Sequence, residues 1–241
     1  MYDLAAKEIF SVVKFREGGR PVSVAHFFRP LALADWLEYE RALDTRIVES
    51  EDQSEMRTQA VIAAERLWDA AALRVNGYGA PASSALQGEL CERFPADWKQ
   101  KVPLQHKAAA VRGLQQAVVS EGPEGLLDLI YEFDPDQVAL VIEAAQNGEI
   151  HAELIHHLRR PAPEDLKRFS QITSAAIWLR GAKQPTTLLP SRLKPLCDLY
   201  DRLIQSIEGY SGIDGGDAAA VRRAMDPVHK KVVIQSLFQE E

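Results

Sequence analysis

Two hairpin-like segments and two amphipathic stripes set the pattern of the chain. Phe10 to Lys14 and Val22 to Phe28 are apolar or β-branched stretches on either side of Glu17-Gly18-Gly19-Arg20, with Pro21 beside the turn. That composition predicts a β-hairpin. Val138 to Ala144 and Ile150 to Leu158 flank Gln146-Asn147-Gly148-Glu149 in the same way. Asn-Gly favours a hairpin because both residues tolerate positive φ. A single helix over Val138 to Leu158 competes for this segment on its Ala, Glu and Leu content, and the first hairpin tilts the reading toward strands. Downstream, Val61, Ala64, Trp68, Ala71 and Val75 form one stripe, and Leu193, Leu196, Tyr200, Leu203 and Ile207 another. Both step +3, +4, +3, +4, the spacing of one helix face.

The stripes belong to a longer internal echo. Leu67-Trp68-Asp69 leads to Gly77-Tyr78, and Leu199-Tyr200-Asp201 leads to Gly209-Tyr210, every member displaced by 132 positions. Arg29-Pro30 precedes Asp35-Trp36 and Tyr39, as Arg160-Pro161 precedes Asp165-Leu166 and Phe169. The proline disfavours helix in the residue before it, and the acidic residue suits a helix N-terminus. Pro103-Leu104-Gln105-His106-Lys107 resembles Pro227-Val228-His229-Lys230. These matches predict an α+β, predominantly helical protein of two related units from internal duplication, residues 1–128 and 129–241. Each unit reads as a hairpin, a first helix, a long second helix capped at Gly-Tyr, a loop and a short third helix. Breaks at Glu121 to Gly125 and Asp134-Pro135-Asp136 mark the junction, with a short helix or connector over Leu126 to Phe133. A lone hairpin is marginal in water, so each must lie on its own helices or join the other in a four-stranded sheet.

Composition narrows the function classes. The chain has 241 residues, 46% hydrophobic and 26% charged, with a formal net charge of -7. This is the profile of a globular protein, and its acidity argues against a general nucleic-acid binder, which concentrates Lys and Arg. No apolar run approaches the roughly 20 residues that span a bilayer, and no signal-peptide core is evident, so a cytoplasmic protein is expected. Cys91 and Cys197 form neither a CxxC pair nor a disulfide framework.

The candidate chemistry is sparse. His151, His156 and His157 lie near Glu149 and Glu153. On a strand, His151, Glu153 and His157 share one face with Ile155, and His156 joins Ile150, Ala152 and Leu154 on the other. Zinc needs three or four converging ligands, and no further set is apparent, so no metal and no cofactor are expected. His106 and His229, each followed by Lys, are read as structural residues that start a helix and bond a loop carbonyl. Asp214-Gly215-Gly216-Asp217 lacks the Lys-Ser/Thr of a phosphate-binding loop and predicts Asp217 as an N-cap for Ala218 to Met225. Trp36, Trp68, Tyr78, Phe169, Trp178, Tyr200 and Tyr210 are read as core.

One segment carries a family likeness. Phe15-Arg16-Glu17-Gly18-Gly19-Arg20, Val22-Ser23-Val24, Phe28-Arg29-Pro30-Leu31 and Asp35-Trp36-Leu37-Glu38-Tyr39-Glu40 together resemble the start of phage tail assembly chaperones. The likeness covers roughly residues 10–45, with an echo at 138–173. It implies a non-enzymatic factor in the cytoplasm of a bacterial host that keeps another protein, such as a helical tail protein, soluble until the tail assembles. A hairpin edge can take a partner strand, and the candidate partner-binding edge is Ser11, Val13, Phe15, Ser23, Ala25 and Phe27. A structural component retained in a tail or other particle, and a generic intracellular adaptor, are the competing readings.

Overall fold

A computed structural model describes residues 2–49, 54–78, 96–116, 128–146, 149–178, 186–188 and 192–239. The fold is α+β. In the first half, strands β2 (Ile9–Glu17) and β3 (Arg20–Phe28) form a continuous antiparallel hairpin, Val13 opposite Val24. Helices α1 (Leu33–Leu43) and α2 (Ala60–Ala71) follow, and β6 (Ala72–Asn76) returns to pair antiparallel with β3. A one-turn helix α3 (Trp98–Lys101) and helix α4 (Leu104–Gln116) complete the half.

The second half has the same build. Strands β8 (Ala139–Gln146) and β9 (Glu149–Leu158) form the hairpin, so the strand reading holds over the helical one. The Asn147-Gly148 turn lies outside the described residues. Helices α5 (Pro163–Trp178) and α6 (Leu193–Leu203) follow, and β11 (Ile204–Glu208) returns to β9. The short helix α7 (Ala218–Ala224) and helix α8 (Pro227–Gln239) close it. Asp217 is the N-cap of α7, its side chain accepting the Ala219 N–H.

Several predicted features are corrected. Asp128–Asp134 is a strand, β7, paired antiparallel with β8, where a helix or connector was expected. Of the two arrangements open to the hairpins the first holds: each lies on helices in its own sheet, ordered β2-β3-β6 and β11-β9-β8-β7, and among the described residues they form no joint sheet. The second helices stop at Ala71 and Leu203, well before Gly-Tyr. In each half the last helical carbonyl is captured from outside the helix, Ala71 O by the Arg29 N–H at 3.1 Å and Leu203 O by the Arg159 N–H at 2.8 Å. The stripe ran on because the return strands bury Ala72 and Val75, or Ile204 and Ile207, at a +3 step that imitates a helix. At the stripe's other end Val61 is exposed.

Gly77 and Gly209 therefore cap no helix. They follow the return strands at φ +99° and +80° and lie against the hairpin. A Cβ on Gly77 would stand 2.7 Å from the Ser23 carbonyl oxygen, and one on Gly209 would run into the Glu153 carbonyl. Gly77→Ala and Gly209→Ala combine a left-handed backbone with a backbone clash, and each is expected to cost about 2–3 kcal/mol. Urea unfolding midpoints measure the loss.

The core is two adjoining clusters that share a helix. Phe28, Trp36, Trp68, Val75 and Val111 centre the first, and Leu140, Ile142, Leu154, Tyr200, Leu203 and Ile234 the second. Helix α6 supplies both, with Leu193 and Cys197 in the first cluster and Leu196, Leu199, Tyr200 and Leu203 in the second. The halves interleave elsewhere as well. Strand β1 (Tyr2–Asp3) pairs in parallel with β12 (Tyr210–Ser211). Strand β10 (Thr186–Leu188) adds to the β4 (Arg46–Glu49) and β5 (Ser54–Arg57) hairpin. Among the described residues no helix is long and apolar enough to cross a membrane.

Candidate functional site

The inward phase of β3 runs Val24, His26, Phe28, and that of β9 runs Leu154, His156, Leu158, all buried. A histidine in the middle of an apolar strand face must have its ring nitrogens satisfied by its surroundings. Trp68 Nε1 stands 3.0 Å from His26 Nδ1. Indole N–H only donates, so Nδ1 is the bare, accepting nitrogen, and His26 is neutral with its proton on Nε2. That proton points to Tyr78 Oη at 3.3 Å, leaving the Tyr78 hydroxyl to donate to His106 Nδ1 at 2.9 Å. The bonds run in one direction from Trp68 to His106, whose ring also meets Phe15 at 4.3 Å.

In the second half His156 Nδ1 is 3.0 Å from Tyr200 Oη, and its Nε2 is 2.6 Å from Tyr210 Oη. Tyr210 in turn faces His229, ring centres 6.4 Å apart. Burial lowers both strand histidines to a pKa of about 3, helped by His106 on His26 and by His229 and His157 on His156. Burial also raises the hydroxyls of Tyr78 and Tyr200. Each cluster is thus a neutral polar latch tying the hairpin, the second helix and the Gly-Tyr segment together. His106 lies in the first turn of its helix as expected, and its partner among the described residues is the Tyr78 hydroxyl, where a loop carbonyl was expected.

Two ion pairs repeat around the latches. Lys107 Nζ lies 2.7 Å from Asp69 and 4.8 Å from the centre of the Trp68 ring. Lys230 Nζ lies 2.7 Å from Asp201 and 5.7 Å from the centre of the Tyr200 ring. Upstream, Asp35 accepts both Arg29 guanidinium nitrogens at 2.8 and 2.7 Å and the Ala32 N–H at 2.9 Å, fixing the start of α1. Asp165 accepts Arg159 at 2.8 Å and the Ala162 N–H at 3.0 Å. The hydrogen bond from Arg29 holds Asp35 below its usual range; for Asp165, burial opposes Arg159, Ala162 and Arg202, and they prevail. The counterpart of Arg29 is therefore Arg159, and Arg160 stands one residue off.

The likeness extends to the sheet edge. Register shifts at Phe27/Phe28 opposite β6 and at Ile204/Ser206 opposite β9 place one extra residue, Leu73 or Gln205, at the same point of each ladder. The offset is 130 for the strand histidines, 132 for the second helices and 123 for the last helices, and β9 holds one extra residue, His151, at the Ala144/Ala145 step, where the first hairpin runs without a shift.

The proposed edge residues divide. In the sheet order β2-β3-β6, β3 is central where β6 pairs with it, so Ala25 and Phe27 lie on no edge, while Ser23 is exposed beyond the paired stretch with Gly77 close to its carbonyl. Ala25 is paired with both Val12 and Asn76, and Arg74 lies 3.5 Å above the Phe27 ring. The missed return strand β6 is the reason. Strand β2 is an edge of its sheet, but Ser11 and Val13 are buried and Phe15 half-buried, facing α4; Gly113 of α4 leaves room only for the Ser11 side chain. What β2 offers outward is its backbone and its other face, where Val12 is half-buried and Lys14 and Arg16 are exposed.

A cleft of about 450 Å³ lies between the N-terminal segment, the start of α1 and the α7–α8 junction, lined by Asp3, Leu31, Arg222, Arg223 and Asp226 among others. Burial raises the Asp226 carboxyl to about 6, against the Val228 and His229 N–H groups that it caps and the charge of Lys230. Among the described residues no cluster of three or more metal-ligating side chains occurs. No protein-family model, no curated protein and no solved structure matches the chain.

Proposed function

We propose that the protein is a non-enzymatic protein-binding factor of phage or prophage tail morphogenesis, a tail assembly chaperone acting in the bacterial host cytoplasm. The observation that carries this reading is β2, a nine-residue strand paired only with β3 among the described residues. Such an edge presents a row of backbone donors and acceptors to a partner strand. Its own core-facing side is already packed, so a partner would gain main-chain bonds and contacts to Val12, Lys14 and Arg16. The resemblance in residues 10–45 supplies the biological role, and the latches supply the rigidity that a docking edge requires. We also read the two units as products of internal duplication, on the strength of the repeated latch, ion pairs and strand shift.

Capture of the tagged protein from its host, with mass spectrometry of what it retains, tests the role. Recovery of a long helical tail protein supports it. Recovery of no morphogenesis protein from a host that is producing tails contradicts it.

A further inference from the structure

The two sheets end in edges of opposite charge. Strand β2 pairs only with β3, and β7 only with β8, among the described residues. On β2, Lys14 and Arg16 are exposed two residues apart; on β7, Glu132 is exposed and Asp134 half-buried at the same spacing. None of the described ion pairs uses any of these four side chains. Asp134 Oδ1 does accept the backbone N–H groups of Asp136 and Gln137, at 2.9 and 3.1 Å, which holds its carboxylate at the end of the strand.

Topology fixes how the edges can meet. Strands β8 and β9 stand in their sheet where β2 and β3 stand in theirs, and β7 lies beyond β8, antiparallel to it. Half a turn of one copy about the sheet normal keeps both helix-covered faces on one side. It brings β7 against the β2 edge of another copy with the strands parallel. In that direction Lys14 can face Glu132 while Arg16 faces Asp134, because the two-residue spacing matches and residues two apart on a strand share a face. The antiparallel alternative would put one helix layer on the wrong side.

We infer that copies of this chain associate head to tail through parallel pairing of β2 in one copy with β7 in the next. The contact is heterologous, so it builds open chains or rings and does not stop at a symmetric dimer. It rests on the two edges and their charges and is independent of the tail role. A client strand and a second copy would compete for β2.

Sedimentation velocity over a concentration series at low and high salt tests the inference. Wild type is expected to form species larger than a monomer at low salt and to dissociate as salt screens the four charges. Lys14→Glu/Arg16→Glu puts acidic groups on both edges, and Glu132→Lys replaces the exposed acid of β7 with a base. Each variant alone is expected to associate at least about tenfold more weakly. An equimolar mixture is expected to recover pairwise association, because the unchanged basic β2 of Glu132→Lys then meets the unchanged acidic β7 of Lys14→Glu/Arg16→Glu. That recovery also shows that neither variant is merely unfolded. Wild type that stays monomeric at its highest soluble concentration in low salt, variants that associate like wild type, or a mixture that stays monomeric would each overturn the pairing.

Discussion

Trp68→Ala is expected to unfold the protein or bring it to the edge of unfolding. The indole is fully buried, meets Trp98 at 5.5 Å and underlies Lys107. Losing such a ring from a core costs about 3–5 kcal/mol. The same substitution leaves His26 Nδ1 without its donor in a site with no exposure, which adds about 1–3 kcal/mol. Together these come to about 4–8 kcal/mol, comparable to the lower part of the stability of an ordinary domain, about 5–15 kcal/mol. Trp68→Phe separates the two contributions, since it keeps most of the ring and removes the donor; its loss should fall in the 1–3 kcal/mol range. Tyr200→Phe is the matching change in the second half, where His156 keeps Tyr210. Chemical denaturation of the three variants checks the account. If Trp68→Phe were as stable as wild type, the hydrogen bond to His26 would contribute nothing.

The second large effect is acid lability. His26 and His156 have folded pKa values of about 3, against about 6.5 in the unfolded chain. As pH falls below about 6.5 the unfolded state takes up a proton at each histidine that the folded state refuses, so stability falls with pH until about pH 3. Each histidine contributes a slope of about 1.4 kcal/mol per pH unit in that window. Asp226 acts with the opposite sign. Its folded carboxyl is raised to about 6, so from there down to the ordinary carboxylate range it favours the folded state and offsets roughly one histidine. The net expectation is a loss of about 1.4 kcal/mol per pH unit between pH 6 and 4, steepening below as Asp35 and Asp165 are protonated. His26→Gln keeps an acceptor for Trp68 and a donor for Tyr78 but cannot titrate. It should be less stable than wild type at pH 7 and show a flatter pH dependence, measured by urea unfolding at pH 7 and 4.5. An unchanged slope would mean that His26 is not the group being protonated.

Much of the fold was legible because it rests on local periodicity. The hairpins announced themselves by turn residues between apolar runs, and α2 and α6 by their stripes. The return strands were hidden because Ala72 to Val75 and Ile204 to Ile207 bury residues three apart, continuing the helical spacing into extended chain. That one error turned β3 from a central strand into an apparent edge and made Gly77 and Gly209 look like helix caps. Strand β7 was missed because two acidic turn-like segments around it suggested a linker. The latch was half visible. Tyr78, Tyr210, His106 and His229 were aligned by their repeats; His156 was placed on the apolar strand face but weighed only as a metal ligand, and its counterpart His26 was not matched to it. Both occupy the inward phase of an apolar strand, and both share the 130-residue offset of Asp35 and Asp165. A polar residue at the same core position in both halves was the available signal. No periodicity could reveal the charge match between β2 and β7, since it depends on which edges the fold leaves open.

The central claim is that the β2 backbone is the surface on which another protein docks. Hydrogen exchange of the Ile9–Glu17 amides tests it most directly, in dilute protein alone and in complex with the tail protein recovered from the host. The account predicts that amides of β2 turned away from β3 exchange fast in the isolated protein, those of β3 exchange slowly, and the fast set becomes protected in the complex. A complex in which β2 exchanges as it does in the isolated protein, with protection appearing elsewhere, would contradict it.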